Sequence, residues 1–437
     1  MKTIHIGMIG FGTVGSGTAQ VLLEQSKRIT RRTGVQICLK TVLVRSPRQL
    51  PEEFADITVT CEPDDLFNDP DIDIIVELIG GIEPARTYAL KAIEKGKHVV
   101  TANKALLSEC GIEIFQAAAK NNVEVGFEGS VAGGIPVVKT IKEGLAANRI
   151  VSLMGILNGT ANYILTQMTD HGLPFAEVLK DAQGKGYAEA DPTFDIEGID
   201  TAHKLAILVT MAYGIKVNLD DIAVEGISRI EPIDINLAHE FGYRIKLLAI
   251  SCNHGDHVEL RVHPTLVAES HLLASINGAF NSVHIQGDMV GDILLYGPGA
   301  GKLATGSAVA ADIVDISRNI VHGAINRVSC LSYLPEHIES RKVTPISQLR
   351  CPYYFRFTTL DQPGVLATIA GILGKFNISI ESVIQKSNHK SKTVPIVMRT
   401  YEAVEASVVE ALAEIDKLPM VAAETVKIRI LAQGDED

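Results

Sequence analysis

The sequence feature that most constrains the fold is a glycine-rich loop, Gly10-Phe11-Gly12-Thr13-Val14-Gly15. It lies between an apolar run at residues 4–9, typical of a buried strand, and a helical pattern at residues 13–24. In such a unit the first glycine allows the turn, the second lets the backbone approach a pyrophosphate, and the third lets helix and strand pack closely. The N–H groups at the helix start then favour phosphates. The pattern predicts a dinucleotide-binding fold, with an ordinary tight turn as the alternative.

The order of strand and helix patterns divides the chain into three units. Residues 1–135 alternate strands with helices, which predicts an α/β protein with a Rossmann-type, doubly wound parallel sheet. Residues 136–301 mix helices with β-branched runs and predict an α+β domain for substrate binding and dimerisation. A helix around 302–330 is expected to return to the first unit. After a polar linker at 335–350, residues 351–431 have the strand–helix–strand–strand–helix–strand order of a ferredoxin-like fold.

Composition and charge exclude several classes of function. The 437 residues include 40 basic and 52 acidic side chains, a net charge of −12 that disfavours binding along a nucleic-acid backbone. No apolar run reaches the ~18–20 residues of a membrane helix, and the N-terminus shows no signal-peptide pattern. The six cysteines are far apart and form no Cys-x-x-Cys, which favours reduced thiols. We therefore expect a cytoplasmic protein with no nucleic-acid or membrane partner.

The end of the second predicted strand bears on the choice of cofactor. An NAD-preferring site usually has an Asp or Glu at this point, which binds the ribose 2′-hydroxyl. This sequence has Arg45 instead, and a guanidinium can pair with a 2′-phosphate. We expect NADP, or use of both cofactors, rather than strict NAD. A solvated arginine at a strand end is the alternative.

Three charged residues are candidates for the chemistry. Lys104 comes soon after a predicted parallel strand that ends at Thr101, and open α/β sheets bind ligands outside the carboxyl ends of their strands. Asp200 and Lys204 are four residues apart in a helical stretch and therefore share one helix face. A lysine beside an orienting carboxylate can exchange a proton with an alcohol, whereas the alternative is an ordinary surface pair. The acidic segment at 186–195 can receive a substrate ammonium.

A loop of small residues follows the last strand of the first unit, at residues 128–135. Its carbonyl groups and the Glu128 carboxylate can bind a hard cation through oxygen. Glycine loops at strand ends are common without such a role, so the loop taken alone is more typical of a simple connection.

Taken together, these motifs resemble those of the homoserine dehydrogenase family. The resemblance covers roughly residues 1–330 and rests on an ordered set of segments: 10–15, 101–104, 128–136, 157–163, 186–192, 198–204 and 296–301. Residues 353–431 resemble an ACT domain through Leu360-Asp361-Gln362-Pro363-Gly364-Val365-Leu366-Ala367. No aspartokinase module is visible in the sequence, so the resemblance is to the monofunctional form.

The resemblance implies a reaction and its regulation. L-Homoserine and NADP⁺, with NAD⁺ as the second option, would be interconverted with L-aspartate 4-semialdehyde and the reduced cofactor. This reaction belongs to threonine, methionine and isoleucine biosynthesis. The resemblance also implies a monovalent cation, sodium, and feedback through the ACT domain with threonine as the first-choice effector. We further expect a homodimer or homotetramer.

The resemblance also implies roles for individual residues. Lys204 corresponds to the acid/base lysine, Asp200 to its partner, and Lys104 to a lysine that contacts cofactor and substrate. The expected cofactor-binding residues are Gly10, Phe11, Gly12, Thr13, Val14, Gly15, Arg45, Thr101, Lys104 and Gly301. The expected substrate-binding residues are Asn158, Gly159, Thr160, Glu189 and Asp195. The expected sodium ligands are Glu128 and the carbonyls of Val131, Gly133 and Ile135, and the expected effector-binding residues are Asp361, Gly364, Val365 and Leu366.

Two other functions fit parts of the sequence. A 2-hydroxy-acid dehydrogenase with an ACT tail shares the dinucleotide fold but is expected to have a His–carboxylate relay. A non-catalytic sensor with a degenerate dinucleotide fold needs no reactive lysines, whereas Lys104, Asp200 and Lys204 are all present. The ACT-like unit could alternatively serve packing or dimerisation without a ligand.

Overall fold

The first unit is built on one parallel sheet. The computed structural model describes residues 1–385 and 392–432, and in this part of the chain the sheet has six strands: β1 Thr3–Ile9, β2 Gln36–Leu43, β3 Thr58–Thr60, β4 Ile72–Glu77, β5 His98–Thr101 and β6 Val125–Gly126. Their order is β3-β2-β1-β4-β5-β6, and every neighbouring pair is parallel. The predicted doubly wound sheet is therefore confirmed. The strand order reverses between β1 and β4, the switch point at which such sheets bind ligands.

Helices of the first unit accompany this sheet, and glycine and capping residues determine where two of them begin. They are α1 Thr13–Glu24, α2 Ser26–Thr33, α3 Asp64–Phe67, α4 Ala85–Glu94 and α5 Lys104–Lys120. The bounds of α1 are those that the sequence predicts, because Gly12 caps the helix directly after the glycine turn. Helix α5 begins at Lys104 because the Asn103 side chain accepts the N–H of Leu106, an N-cap that fixes the first turn.

The second unit places helices over an antiparallel sheet. Its elements are α6 Val137–Lys139, β7 Ile150–Ile156, α7 Gly159–His171, α8 Phe175–Gly184, α9 Thr193–Ile196, α10 Ile199–Tyr213, β8 Ala223–Val224, α11 Pro232–Glu240, β9 Tyr243–Asn253, β10 His257–Ala268, β11 Phe280–Gly287, β12 Gly291–Pro298 and α12 Lys302–His322. The sheet runs in the order β12-β11-β7-β9-β10. Helix α10 is buried along nearly its whole length, so its charged residues lie inside the protein.

One predicted helix of this unit is wrong in length. The pattern at residues 136–147 predicts a continuous helix, but α6 ends at Lys139 and a wider turn follows at Thr140–Gly144. The N–H of Leu145 donates to the carbonyl of Thr140, five residues back, at 2.9 Å. A hydrogen bond to the residue five positions back defines a π-helical turn. Such turns usually occur singly, as one wide turn within or beside an α-helix.

Helix α12 packs against α1 of the first unit. A Cβ atom at Gly17 would lie 1.9 Å from the carbonyl oxygen of Lys302, so only glycine permits this approach. Val309 and Ile313 of α12 are fully buried in the same core as Ile6 of β1. Although α12 has 21 residues, no helix in the described ranges combines the length and apolarity needed to cross a membrane.

The third unit has a ferredoxin-like sheet. Its elements, after β13 Lys342–Val343, are β14 Arg350–Cys351, β15 Tyr353–Leu360, α13 Val365–Lys375, β16 Ile380–Gln385, β17 Thr393–Thr400, β18 Ala403–Val404, α14 Glu405–Ile415 and β19 Val421–Ile430. The sheet order is β19-β15-β17-β16 and these pairs are antiparallel. The predicted chain order and its split βαβ arrangement are confirmed.

The sheets of the second and third units are continuous. Strands β10 and β19 pair in parallel, with Thr265 opposite Arg429 and Leu266 opposite Ile430. Counting only residues that the structure describes, eleven strands belong to this sheet. The preceding segment also contacts it, since Val343 of β13 pairs with Val258 of β10. The third unit is therefore attached through backbone hydrogen bonds as well as through the chain connection.

Candidate active site

The centre of the candidate site is a buried ion pair on α10. Gly198, with φ of 80°, allows the sharp entry into this helix, and Asp200 and Lys204 then lie on one face. Their side chains are 2% and 11% exposed. The Lys204 ammonium donates to Asp200 Oδ2 at 2.8 Å and to the carbonyl of Leu157 at 2.6 Å. The pairing expected from the four-residue spacing is present, and it is buried rather than solvated.

A second ammonium reaches the same carboxylate from the first unit. Lys104, the first residue of α5, forms an ion pair with Asp200 Oδ1. Burial alone would raise the pKa of Asp200, but the charges of Lys204 and Lys104 hold it below its ordinary value. Asp200 therefore stays ionised and holds two ammonium groups beside each other, where the first and second units meet.

Asn158 connects this centre to a second carboxylate. Its Nδ2 group donates to Asp200 Oδ2 and to Asp195 Oδ1, both at 2.8 Å. Its Oδ1 atom accepts the N–H of Ala161 at 2.8 Å and so caps α7. Burial, and then the charge of Asp200, raises the pKa of Asp195. The structure thus brings Asn158 and Asp195 to the lysine pair, although 37 residues separate them in sequence.

The other expected substrate residues lie at the rim of this cluster. Gly159 is the first residue of α7, and the hydroxyl of Thr160 donates to the carbonyl of Tyr187 at 2.6 Å. This bond joins α7 to the loop that contains Glu189, which is exposed. The carbonyl of Glu189 accepts a hydrogen bond from Gln183 at 3.1 Å, whereas its carboxylate forms no ion pair with any described residue.

The glycine loop has the geometry that its three glycines require. Gly10 has φ of 93°, and a Cβ at this position would lie 3.0 Å from the carbonyl oxygen of Leu78. A Cβ at Gly15 would lie 2.4 Å from the Gly10 carbonyl oxygen, so the third glycine permits close packing of helix and strand. Gly12 faces open space within 4 Å and exposes the start of α1, where Thr13 and Val14 form the first turn.

The end of β2 provides two arginines to the cleft beside this loop. Arg45 is exposed and lines the cleft together with Gly10 and Gly12. Arg48 lines it as well; its guanidinium donates to the carbonyl of Phe11 and lies 5.5 Å from the centre of the Phe11 ring. The sequence reasoning missed Arg48, although its three-residue distance from Arg45 was a visible signal.

Thr101 and Gly301 both stabilise the local backbone, Thr101 through side-chain hydrogen bonds and Gly301 as a helix cap. The Thr101 hydroxyl is buried and donates to Glu77 at 2.6 Å, while its oxygen accepts the N–H of Asn103. The Thr101 side chain therefore forms its hydrogen bonds within the protein, at the carboxyl end of the parallel strands. Gly301, with φ of 139°, caps α12. The loop before it packs on the loop at residues 128–135, since a Cβ at Gly133 would lie 2.3 Å from the Gly299 carbonyl oxygen.

Glu128 is a buried carboxylate that accepts backbone amides. Its two oxygens accept the N–H groups of Val138 at 2.8 Å and Lys139 at 3.0 Å, and burial raises its pKa. Its own N–H donates to Asp312 of α12 at 2.7 Å. No arginine or lysine in the described part of the chain forms an ion pair with Glu128, although the charges of Lys139 and Lys142 act on its carboxylate from farther away.

The three carbonyls predicted beside Glu128 belong to one buried turn. Val131, Gly133 and Ile135 are buried, and Gly133 turns the chain with φ of 58°. The Ile135 carbonyl accepts the N–H of Val137 at 2.8 Å, which leaves it a second lone pair. Backbone carbonyls and a carboxylate are the types of oxygen ligand that a hard cation prefers.

A hydrogen bond between Ser108 and His203 joins the two lysine-bearing helices. The Ser108 hydroxyl on α5 and His203 Nδ1 on α10 are 2.5 Å apart, and burial lowers the pKa of His203. Ser108 is one turn after Lys104, and His203 directly precedes Lys204. The sequence reasoning missed this contact, because the only local signal was the shared helix face of Lys104 and Ser108.

The expected effector residues lie together at the start of α13. Gly364, with φ of 89°, caps the helix, and Val365 is buried in its first turn. Asp361 is exposed and Leu366 is 38% exposed. The turn therefore places the Asp361 carboxylate and the start of α13 at the protein surface.

Comparison with protein families assigns all three units. A family model described as homoserine dehydrogenase matches residues 136–314, and one described as its NAD-binding domain matches residues 10–128. The ACT domain model matches residues 353–419.

Individual relatives match over the whole chain. The homoserine dehydrogenase of Neisseria gonorrhoeae is 46% identical over 435 residues, which cover 100% of both chains. The structure of a homoserine dehydrogenase from Thiobacillus denitrificans has a TM-score of 0.93 at 47% identity and covers 99% of each chain. A hyperthermophilic archaeal homoserine dehydrogenase in complex with NADPH has a TM-score of 0.62 at 25% identity, covering 72% of this chain and 98% of that one.

The Asp200 carboxylate is expected to be essential for stability. Asp200→Asn leaves the buried Lys204 ammonium without its charged partner, and breaking a buried pair in this way costs roughly 3–5 kcal/mol. Asp181→Asn is the matched control, because Asp181 and Lys185 form the same four-residue pair at the surface. Urea and thermal unfolding should show a large loss for Asp200→Asn and little change for Asp181→Asn. Equal unfolding midpoints for the two variants would contradict the anchoring role.

Proposed function

This chain belongs to the homoserine dehydrogenase family, and from this membership we propose that it interconverts L-homoserine and L-aspartate 4-semialdehyde with NADP as the preferred cofactor. The enzyme class, an NAD(P)-dependent oxidoreductase, follows from the family. The observation that best supports the reaction is the Lys104–Asp200–Lys204 cluster, at the carboxyl edge of the parallel sheet. Family membership over the full length favours this function over a 2-hydroxy-acid dehydrogenase or a non-catalytic sensor.

The two lysines can manage the charge on the reacting oxygen. The nicotinamide, when bound, supplies or accepts the hydride. Reduction of the aldehyde develops negative charge on its oxygen, and Lys204 is the group proposed to donate the proton. Lys104 provides a second positive charge that stabilises this oxygen. Asp200 holds both ammonium groups at one point, and the Leu157 carbonyl directs Lys204 by accepting its hydrogen bond.

The carboxylates beside the lysines are proposed to bind the amino-acid part of the substrate. Asp195 is held by Asn158 at 2.8 Å and is the inner group for the substrate ammonium. Glu189, on the exposed loop joined to Thr160 through Tyr187, is the outer one. Gly159 and Thr160 open α7 beside them, where the helix N-terminus favours the substrate carboxylate.

Three features support the cofactor and cation assignments. Arg45 and Arg48 line the cleft beside the glycine loop, where a 2′-phosphate would lie, and one solved relative is described in complex with NADPH. For the cation we propose sodium, held by Glu128 and the carbonyls of Val131, Gly133 and Ile135. The support is the buried Glu128 carboxylate, which accepts two backbone N–H groups and forms no ion pair with a described residue.

We also propose that the enzyme forms a homodimer or homotetramer in the cytoplasm. Among the described strands, β12 forms one edge of the large sheet. It carries Tyr296, which is 54% exposed, and it follows a turn where Met289 is 82% exposed. Exposed apolar side chains beside a free sheet edge are typical of subunit contacts. The six cysteines are free thiols, as is usual in a reducing compartment.

Loss of Lys204 is expected to abolish most turnover. Lys204→Ala should lower kcat by at least about 10²-fold, because that is the usual contribution of a positioned acid/base group. Lys185→Ala, which removes a lysine from the exposed four-residue pair, is the control and should keep normal kcat. Near-normal turnover by folded Lys204→Ala would refute the acid/base assignment. Initial rates of homoserine oxidation, with circular dichroism as a folding check, are the measurement.

Arg45 is expected to determine the preference for the 2′-phosphate. Arg45→Ala should weaken NADP binding by about tenfold or more relative to NAD, since a charge-assisted contact contributes roughly 1.5–3 kcal/mol. The KM values for both cofactors are compared in the wild type and in the variant. If both KM values rise by the same factor, Arg45 contributes to general cofactor binding rather than to the choice between cofactors.

Threonine is the proposed effector of the ACT domain. Asp361→Ala should raise the threonine concentration for half-inhibition by about tenfold and leave activity without threonine unchanged. Lys375→Ala at the other end of α13 is the control. Calorimetry that detects no threonine binding to the full-length enzyme, together with a rate insensitive to threonine, would refute this part of the proposal.

A further inference from the structure

One buried arginine joins the ACT domain to the substrate domain. Arg429, near the end of β19, has a side chain only 3% exposed. Its guanidinium binds Glu405 within the ACT domain at 2.7 and 2.8 Å. It also donates two hydrogen bonds to Glu225 of the substrate domain, at 2.9 and 2.7 Å. This planar, two-bond geometry fixes both the distance and the orientation of Glu225.

Glu225 lies in a segment that supports α9. The next residue, Gly226, touches α9 so closely that a Cβ would lie 2.6 Å from the Ile196 carbonyl oxygen and 2.6 Å from Glu197 Cα. The N–H of Ile227 then donates to the carbonyl of Ile196 at 2.8 Å. On its other side, the N–H of Glu225 donates to Val262 of β10 at 2.8 Å. Residues 225–227 are therefore packed between the large sheet and α9.

The residue before Ile196 is Asp195. Helix α9 has only four residues, so its position depends on what holds its two sides. On one side Asn158 binds the Asp195 carboxylate, and on the other side residues 225–227 hold Ile196 through the contacts above. A displacement of that support moves the Asp195 carboxylate relative to Asp200 and the lysines.

We propose that Glu225 is a positioning residue for the substrate site, whose ion pair with Arg429 of the ACT domain sets the place of Asp195. The proposal rests on the substrate role of Asp195 given above. In this proposal Glu225 affects homoserine binding indirectly, because its carboxylate binds Arg429 rather than the substrate. It also gives the ACT domain a direct route to the site, since whatever shifts β19 also shifts Arg429.

A solvent-exposed ion pair between the same two domains provides a matched control. Arg229 and Glu424 are 3.3 Å apart, but their side chains are 81% and 73% exposed, so their pairing fixes little. Glu225→Gln keeps the size of the side chain and removes its charge, whereas Arg229→Gln removes a charge from the exposed pair. We expect Glu225→Gln to raise the homoserine KM by about fivefold with kcat within a factor of about two. Arg229→Gln should leave both constants unchanged.

A double-mutant cycle with Asp195→Asn tests whether the effect runs through Asp195. Asp195→Asn alone should raise the homoserine KM by about tenfold or more, because a charged contact is lost. In that background Glu225→Gln should change KM by less than about 1.5-fold, since effects that act through one group do not add. A full fivefold effect in both backgrounds would overturn the proposal, because Glu225 would then act elsewhere.

The outcomes separate this inference from the proposed function. A wild-type KM for Asp195→Asn would refute the substrate role of Asp195 and this inference with it. A wild-type KM for Glu225→Gln beside a clear Asp195→Asn defect would refute the inference alone. If Glu225→Gln does not fold, Glu225→Asp decides, because it keeps the charge but shortens its reach. A KM rise above about twofold at unchanged kcat supports positioning, and a wild-type KM overturns it.

Discussion

The buried carboxylate of Asp200 is the interaction on which the candidate site depends. It lies within reach of two ammonium groups and one amide, and these come from separate parts of the chain: Lys104 opens α5, Lys204 is on α10, and Asn158 caps α7. A buried carboxylate is unfavourable unless its charge is compensated. The same contacts that compensate Asp200 therefore fix three helices, and they bring two ammonium groups to one carboxylate.

The two sheets determine where Asp200 and its two lysines lie. The parallel sheet ends at the glycine loop and at Lys104, so the cofactor side of the site belongs to the first unit. The proposed substrate side comes from α7, α9 and α10, which belong to the second unit with its antiparallel sheet. That sheet continues through the pairing of β10 with β19 into the ACT domain. Buried contacts such as Arg356 with Asp234, at 2.6 and 3.0 Å, reinforce this continuity, so side-chain ion pairs as well as backbone pairing join the ACT domain to the second unit.

Local patterns predicted much of this fold. The bounds of α1 and the end of β5 at Thr101 agree with the sequence patterns, because a glycine turn marks the start of α1 and a short apolar run marks β5. Helix α7 and the β11–β12 hairpin were missed. The Asn158 segment was interpreted as a substrate loop, although its asparagine is also an N-cap, and the hairpin lacks a tight Asn-Gly or Asp-Gly turn. Contacts across long sequence distances, such as Asn281 with the Leu157 carbonyl, leave no local pattern.

The central proposal is that the enzyme uses Lys104, Asp200 and Lys204 to oxidise homoserine with NADP⁺. The most direct test is the appearance of NADPH when the purified full-length chain is mixed with NADP⁺ and L-homoserine, compared with 2-hydroxy acids of similar length. The account predicts NADPH formation with homoserine, and little with a hydroxy acid that lacks the ammonium for which Asp195 is positioned. Turnover of the hydroxy acids at comparable kcat/KM, or none with homoserine, would contradict it.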